Sequence, residues 1–348
     1  MNPLYLLFLL LPVAAFSGWW VARRSSARTS GERVSELSSS YFRGLNYLLN
    51  EQQDKAIEVF VRLAEVNRDT VETHLALGNL FRRRGEVDRA IRVHQNLVAR
   101  PNLSDEMKTV ALLELGEDYM RAGLLDRAET LFSDLVAMQA HAPSALKHLI
   151  AIYQHERDWD KAIDHARRLE QMTGESQGPI VAQFYCELAE QDRRQRRFDT
   201  AHEHLKRAFE GEPGSVRASM LAGQLLADEE RYADAVEAFE QVAEHDVDFV
   251  PEILPPLLDA YAKSQQMQRA ETFLLHLLER YQGISPVIAL TKLYTSTQSE
   301  TAAIDFLTRQ LRQRPSVRGL AALINATLYK SEGEARENLL ILQDLTRK

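Results

Sequence analysis

The sequence predicts an all-α protein, an N-terminal transmembrane helix followed by a superhelical solenoid of short paired helices. Three observations predict it. A pattern of glycine, alanine and aromatic positions recurs at intervals near 34 residues along most of the 348-residue chain. An uncharged apolar run fills residues 4–22. The hydrophobic fraction of 45% is enough for a core that continues from one copy of the pattern to the next, and a repeat array escapes the two-domain expectation for this length because each repeat packs only on its neighbours.

The apolar run comes first. Leu4 to Ala22 is long enough to cross the hydrocarbon core as a helix, and Pro12 kinks it in a way that membrane helices tolerate. Trp19 and Trp20 stand at its far end, where indoles favour the interface. Arg23, Arg24 and Arg28 follow at once, and no basic side chain precedes the run. A secretory signal carries its positive charge ahead of the apolar segment, so Ala15-Phe16-Ser17 is a poor cleavage site. The positive-inside rule then places the C-terminal side in the cytoplasm, giving a single-pass membrane protein with membrane lipid around residues 1–22. Residues 23–40, rich in serine, read as a juxtamembrane linker.

The repeats occupy residues 41–315. Leu77–Leu97, LGNLFRRRGEVDRAIRVHQNL, shows the unit: Gly78, an aromatic at Phe81, a turn at Gly85, then Ala90 and a closing apolar residue at Leu97. Two antiparallel helices crossing at small residues produce this pattern. Gly44, Gly78 and Gly116 are copies of the first glycine, and Ala56, Ala90, Ala128, Ala162, Ala201, Ala235, Ala270 and Ala303 are copies of the crossing alanine, spaced 34, 38, 34, 39, 34, 35 and 33. Four residues after the alanine stand Phe60, Phe132 and Phe239, with His94, Ala166, Leu205, Leu274 and Leu307 in the same slot elsewhere. The period and signature are those of the tetratricopeptide repeat. About eight units are expected, starting near 41, 74, 108, 144, 180, 216, 250 and 286, with longer junctions at Arg100–Asp105 and Thr173–Pro179. Residues 316–348 read as a partial ninth unit.

Motifs for chemistry are scarce. Gly174–Gly178, GESQG, matches a nucleophile elbow, but that motif works only on a strand-to-helix turn, and the segment before it is helical. His202 and His204 lie two apart, about 200° around a helix, and cannot share a metal. His141, His148 and His155 recur every seven residues without clustered carboxylate or cysteine partners. No phosphate-cradling glycine loop occurs. One cysteine, Cys186, excludes an internal disulfide framework and reads as a packed side chain. A net charge of −8 argues against nucleic acid. The chain is therefore expected to be a binding protein and not an enzyme.

A solenoid of this kind binds on the surface lined by the first helix of each pair. Counting from each turn, the candidates for that groove are Asn79, Arg82, Arg83, Glu117, Arg121, Lys147, His155, Glu190, Arg193, Arg194 and Arg217. Basic residues outnumber acidic ones among them, and guanidinium forks suit the carboxylates of an acidic or C-terminal segment. Glutamate at Arg82, Arg83 and Arg121 is expected to leave the helices intact and abolish turnover of a bound client.

LYLLFLLLPVAAFSGWW followed by ARRS, then GLNYLLNEQQDKAIEVF, HLALGNLFRRRGEVDRAIRVHQNL, LGEDYMRAGLLDRAE and FYCELA resemble the lipopolysaccharide assembly protein B family of Gram-negative bacteria, over essentially the whole chain. The resemblance implies an inner-membrane adaptor with cytoplasmic repeats that brings the lipid A committed-step deacetylase to a membrane ATP-dependent zinc protease. It also implies an inner-membrane partner that senses lipopolysaccharide and binds partly through residues 4–22; a homodimer is compatible with it. The alternative is a scaffold assembling lipopolysaccharide synthesis and export components. Family members continue into a rubredoxin-like ribbon with two C-x-x-C pairs that binds one zinc or iron ion. This sequence has no such pair and would lead into that ribbon after Lys348, so no cofactor or metal ligand is assigned here.

Overall fold

A computed structural model describes residues 39–50, 52–66 and 70–327. The described residues are helical throughout, without strands. Residues 39–49 form α1. It is followed by α2 (Gln53–Val66), α3 (Val71–Arg84), α4 (Val87–Val98), α5 (Asp105–Arg121), α6 (Leu125–Ala137), α7 (Ala142–Glu156) and α8 (Trp159–Thr173). Then come α9 (Gly178–Arg194), α10 (Phe198–Gly211), α11 (Val216–Asp228), α12 (Tyr232–His245), α13 (Val250–Lys263), α14 (Met267–Arg280), α15 (Ser285–Thr297), α16 (Glu300–Gln313) and α17 (Val317–Thr327). The chain divides into two compact units, one ending at Thr173 and the other starting at Gly174, at the second of the two longer junctions. The transmembrane run lies outside the described residues, as does most of the partial ninth unit; no described helix is long and apolar enough to cross a membrane.

Each unit is built from antiparallel helix pairs, and two local devices recur among them. The first is close contact at the crossing. A Cβ on Gly78 would lie 2.3 Å from Nε2 of His94, and one on Gly44 or Gly116 would meet the rings of Phe60 or Phe132 at 2.8 or 2.6 Å. The same contact recurs between Gly223 and Phe239, a copy that interval reading missed. The glycine thus seats the aromatic slot of its partner helix, while Ala56, Ala90, Ala128, Ala162, Ala201, Ala235, Ala270 and Ala303 are all essentially inaccessible to solvent.

The second device is the corner. Gly85 adopts φ +86 and ends α3, and the next amide, Glu86 N–H, donates back to the Phe81 carbonyl, the closing bond of a Schellman motif. Gly123 repeats it at φ +75. Later corners keep the geometry without the glycine: Arg157, Arg196, Glu230 and Gln265 sit at φ +60, +57, +63 and +59. Each lies five residues before its crossing alanine, and the following amide again donates back to Tyr153, Asp192, Leu226 or Tyr261. The first helices also start earlier than expected where a cap defines the end: α5 begins at Asp105 because the Ser104 hydroxyl accepts from Met107 N–H.

Candidate protein-docking interface

In the first unit, α3, α5 and α7 border a cavity of about 750 Å³ lined by Gln53, Arg82, Arg83, Glu117, Met120, Arg121 and His148. Four of the residues expected in the groove are therefore brought together here. Their electrostatic states differ. Arg82 is largely buried and donates to Glu114 at 2.5 Å and to Asp118 at 2.7 Å, with Glu117 at 2.9 Å and the Glu114 backbone carbonyl at 3.0 Å. Burial alone would lower its pKa, but the hydrogen bonds to Glu114 and Asp118 outweigh it and the guanidinium is held above its ordinary value. Arg83 and Arg121 are exposed and have no ion pair among the described residues.

Beneath the cavity the polar network continues into the core. Asp118 and His94 are both fully buried, and Nδ1 of His94 lies 2.6 Å from Oδ2 of Asp118. The other ring nitrogen of His94, packed against Gly78, has no partner among the described residues. On the α7 side, Nε2 of His148 lies 3.3 Å from Glu117 and the ring stacks on Phe132 at 4.6 Å. The hydrogen bond from His148 holds the Glu117 carboxyl below its usual range against the opposing effect of burial, with Arg82 adding to the same direction. Asn79, one turn before Arg82 and Arg83, keeps a buried side-chain oxygen without a partner among the described residues. Lys147 and His155 are exposed on α7 and do not line the cavity.

The second unit treats its groove candidates differently. Arg193 bonds to Glu190 at 2.8 Å and to Asp228 on α11 at 2.6 Å, and Arg194 also bonds to Glu190 at 2.7 Å. Arg217 on α11 reaches back to Glu187 on α9. Arg193 and Arg217 link neighbouring first helices, as Arg82 links α3 to α5, while Arg194 pairs within α9, and the charges of all three are met within the protein. Cys186 is buried and its thiol is pushed up to about 11, chiefly by burial.

Other sequence candidates resolve plainly. Gly174–Gly178 joins α8 to α9, with helix where the elbow needs a strand. His202 faces Glu229 at 3.1 Å and His204 faces Asp192 at 3.4 Å, so the two rings serve different partners. No group of three metal-competent side chains gathers among the described residues. The anchor residues Leu4, Pro12, Trp19, Trp20, Arg23 and Arg24 lie outside the described residues.

Register counting missed Gln53, Met120, His148 and the Glu114–Asp118–His94 network. A signal for the last was present. His94 puts a polar ring in a slot that phenylalanine fills at 60, 132 and 239, and a buried imidazole needs a partner.

Paired helices at this period, with ion pairs joining successive first helices, define a repeat protein of the tetratricopeptide class. Tetratricopeptide-repeat models match residues 73–106, 113–176 and 186–248. Lipopolysaccharide assembly protein B of Escherichia coli strain K12 is 39% identical over 343 residues, covering 98% of this chain and 88% of that one. The Haemophilus influenzae protein of the same name is 35% identical with the same coverage. The chain belongs to the lipopolysaccharide assembly protein B family. Among solved structures, MamA is 23% identical with a TM-score of 0.38, covering 53% of this chain and 96% of that one, and is too loosely matched to argue from.

Proposed function

We propose that this chain is a membrane-anchored, non-enzymatic adaptor that regulates lipopolysaccharide synthesis by presenting the lipid A deacetylase to a membrane ATP-dependent zinc protease. The observation that carries the reading is family membership along 98% of the chain, joined to helix arrays in which Arg82, Arg83 and Arg121 line one cavity. Residues 4–22 serve as the inner-membrane anchor, put the repeats on the cytoplasmic side and offer a contact for a lipopolysaccharide-sensing membrane protein. Tethering client and protease to one surface raises their effective concentration without new chemistry.

The test is the half-life of the deacetylase in cells depleted of this protein, and in depleted cells expressing residues 1–348. The adaptor reading expects depletion to lengthen the half-life and residues 1–348 to restore it. An unchanged half-life on depletion ends that reading. The name carried by the relatives, an assembly protein, favours a second one, a scaffold for synthesis and export components. It expects normal deacetylase turnover but loss of a stable assembly on depletion.

A further inference from the structure

We propose that the cavity bordered by α3, α5 and α7 docks an extended acidic peptide segment of a protein partner, gripped by Arg83 and Arg121. The assignment deepens the adaptor reading and rests on it for its biological sense.

Charge complementarity is the argument. Arg83 and Arg121 occupy one register, five residues after Gly78 and Gly116 on successive first helices. Both line the same cavity, both are exposed, and neither has an ion pair among the described residues. In the second unit, by contrast, Arg193, Arg194 and Arg217 are each met by a carboxylate. Two planar guanidiniums facing solvent across one groove match the paired oxygens of carboxylates, which they can hold through two parallel N–H donors each.

The network below makes such a site workable. Glu114, Glu117 and Asp118 would otherwise repel an acidic segment from the cavity floor. Arg82 is held among all three, and Glu117 is also tied to His148. Part of their negative charge is thereby met inside the wall, and Arg83 and Arg121 are the cations left facing the cavity. Arg82 is a positioning residue here and not the gripping group. Met120 is the one apolar side chain in the lining, so recognition is mainly electrostatic and salt-sensitive. A lysine-rich segment would meet two like charges.

The experiment uses the full chain and fluorescence anisotropy with a short labelled peptide of alternating glutamate and alanine, with a lysine–alanine peptide as control. The glutamate peptide should bind, the lysine peptide should not, and added salt should weaken binding. Joint Arg83→Ala and Arg121→Ala substitution should weaken it about tenfold, as expected for two largely exposed charge contacts, at unchanged helical content. Arg309→Ala, at an exposed arginine on α16 outside the groove candidates, should leave it unaltered. Equal affinity in the double variant, equal binding of the lysine peptide, or no binding of the glutamate peptide to the unaltered chain would each overturn the proposal. Capture of phosphatidylglycerol vesicles through the same two arginines, without peptide binding, would reassign the surface to membrane. An unaltered deacetylase half-life on depletion would end the adaptor reading while leaving the peptide result standing.

Discussion

Arg82 and Arg83 are adjacent in the sequence and opposite in role. Arg82 is held by three carboxylates, one of them on the fully buried Asp118, and removing a partner from a buried ionic cluster leaves uncompensated charge behind. Arg82→Ala should therefore destabilise the protein by roughly 3 kcal/mol, whereas Arg83→Ala should fall within about 0.5 kcal/mol of the parent, as surface changes do. Urea unfolding of the two variants checks this; equal midpoints would show that the Arg82 cluster contributes nothing net. Glutamate at Arg82 should thus alter folding as well as recognition, against the expectation that all three groove substitutions leave the helices intact. A loss of client turnover in that triple variant would not separate the two effects, and the Arg83 and Arg121 pair is the cleaner probe.

At the scale of the helix pair, the corner geometry is more uniform than the residues that make it. Glycine adopts the left-handed conformation freely at Gly85 and Gly123, but Arg157, Arg196, Glu230 and Gln265 hold it with a Cβ, at a cost of about 1–2 kcal/mol each. The cost is offset by the back-bonding amide and by burial of the aromatic before the turn, such as Tyr153, whose hydroxyl donates to Glu129 at 2.6 Å. Arg157 is exposed, with no side-chain hydrogen bond or ion pair among the described residues. Arg157→Gly should therefore raise stability by about 0.5–1 kcal/mol, the left-handed relief less the extra freedom of an unfolded glycine. An unchanged or lowered thermal midpoint would mean that the corner is not strained.

For the molecule as a whole, the titrating groups couple folding to pH. His165 stacks on Tyr153 with ring centroids 5.2 Å apart, and burial holds its imidazole below the ordinary histidine value. A histidine with a lowered folded pKa contributes no pH dependence while both states are neutral. As pH falls below the unfolded value of about 6.5, the unfolded chain takes up the proton first and stability is lost. The Glu117 carboxyl, also held low, acts in the same direction at lower pH, below about 4. Stability should thus decline from pH 7 toward pH 5, and His165→Phe, which keeps an aromatic ring against Tyr153, should flatten that decline. Unfolding curves at the two pH values give the answer; an identical slope in the variant would assign the decline to other groups.

Much of the architecture was legible because it is repeated. A crossing alanine, a nearby aromatic slot and a corner every 34 residues or so leave one arrangement in which each pair can bury its face, and the interval marks it regardless of what fills the remaining positions. The groove candidates followed from register alone, since the face a residue occupies is set by helix geometry. Register cannot say which charges on that face are already met. Arg82 meets Glu114 and Asp118, 32 and 36 residues away, and whether such groups touch depends on how successive pairs stack, to within an ångström. Burial of His94 and Asp118, the silence of Arg193 and Arg217 as free cations, and the freedom of Arg83 and Arg121 were decided by that stacking. Local periodicity determined the helices; only their three-dimensional packing decided which arginines remain available to a partner.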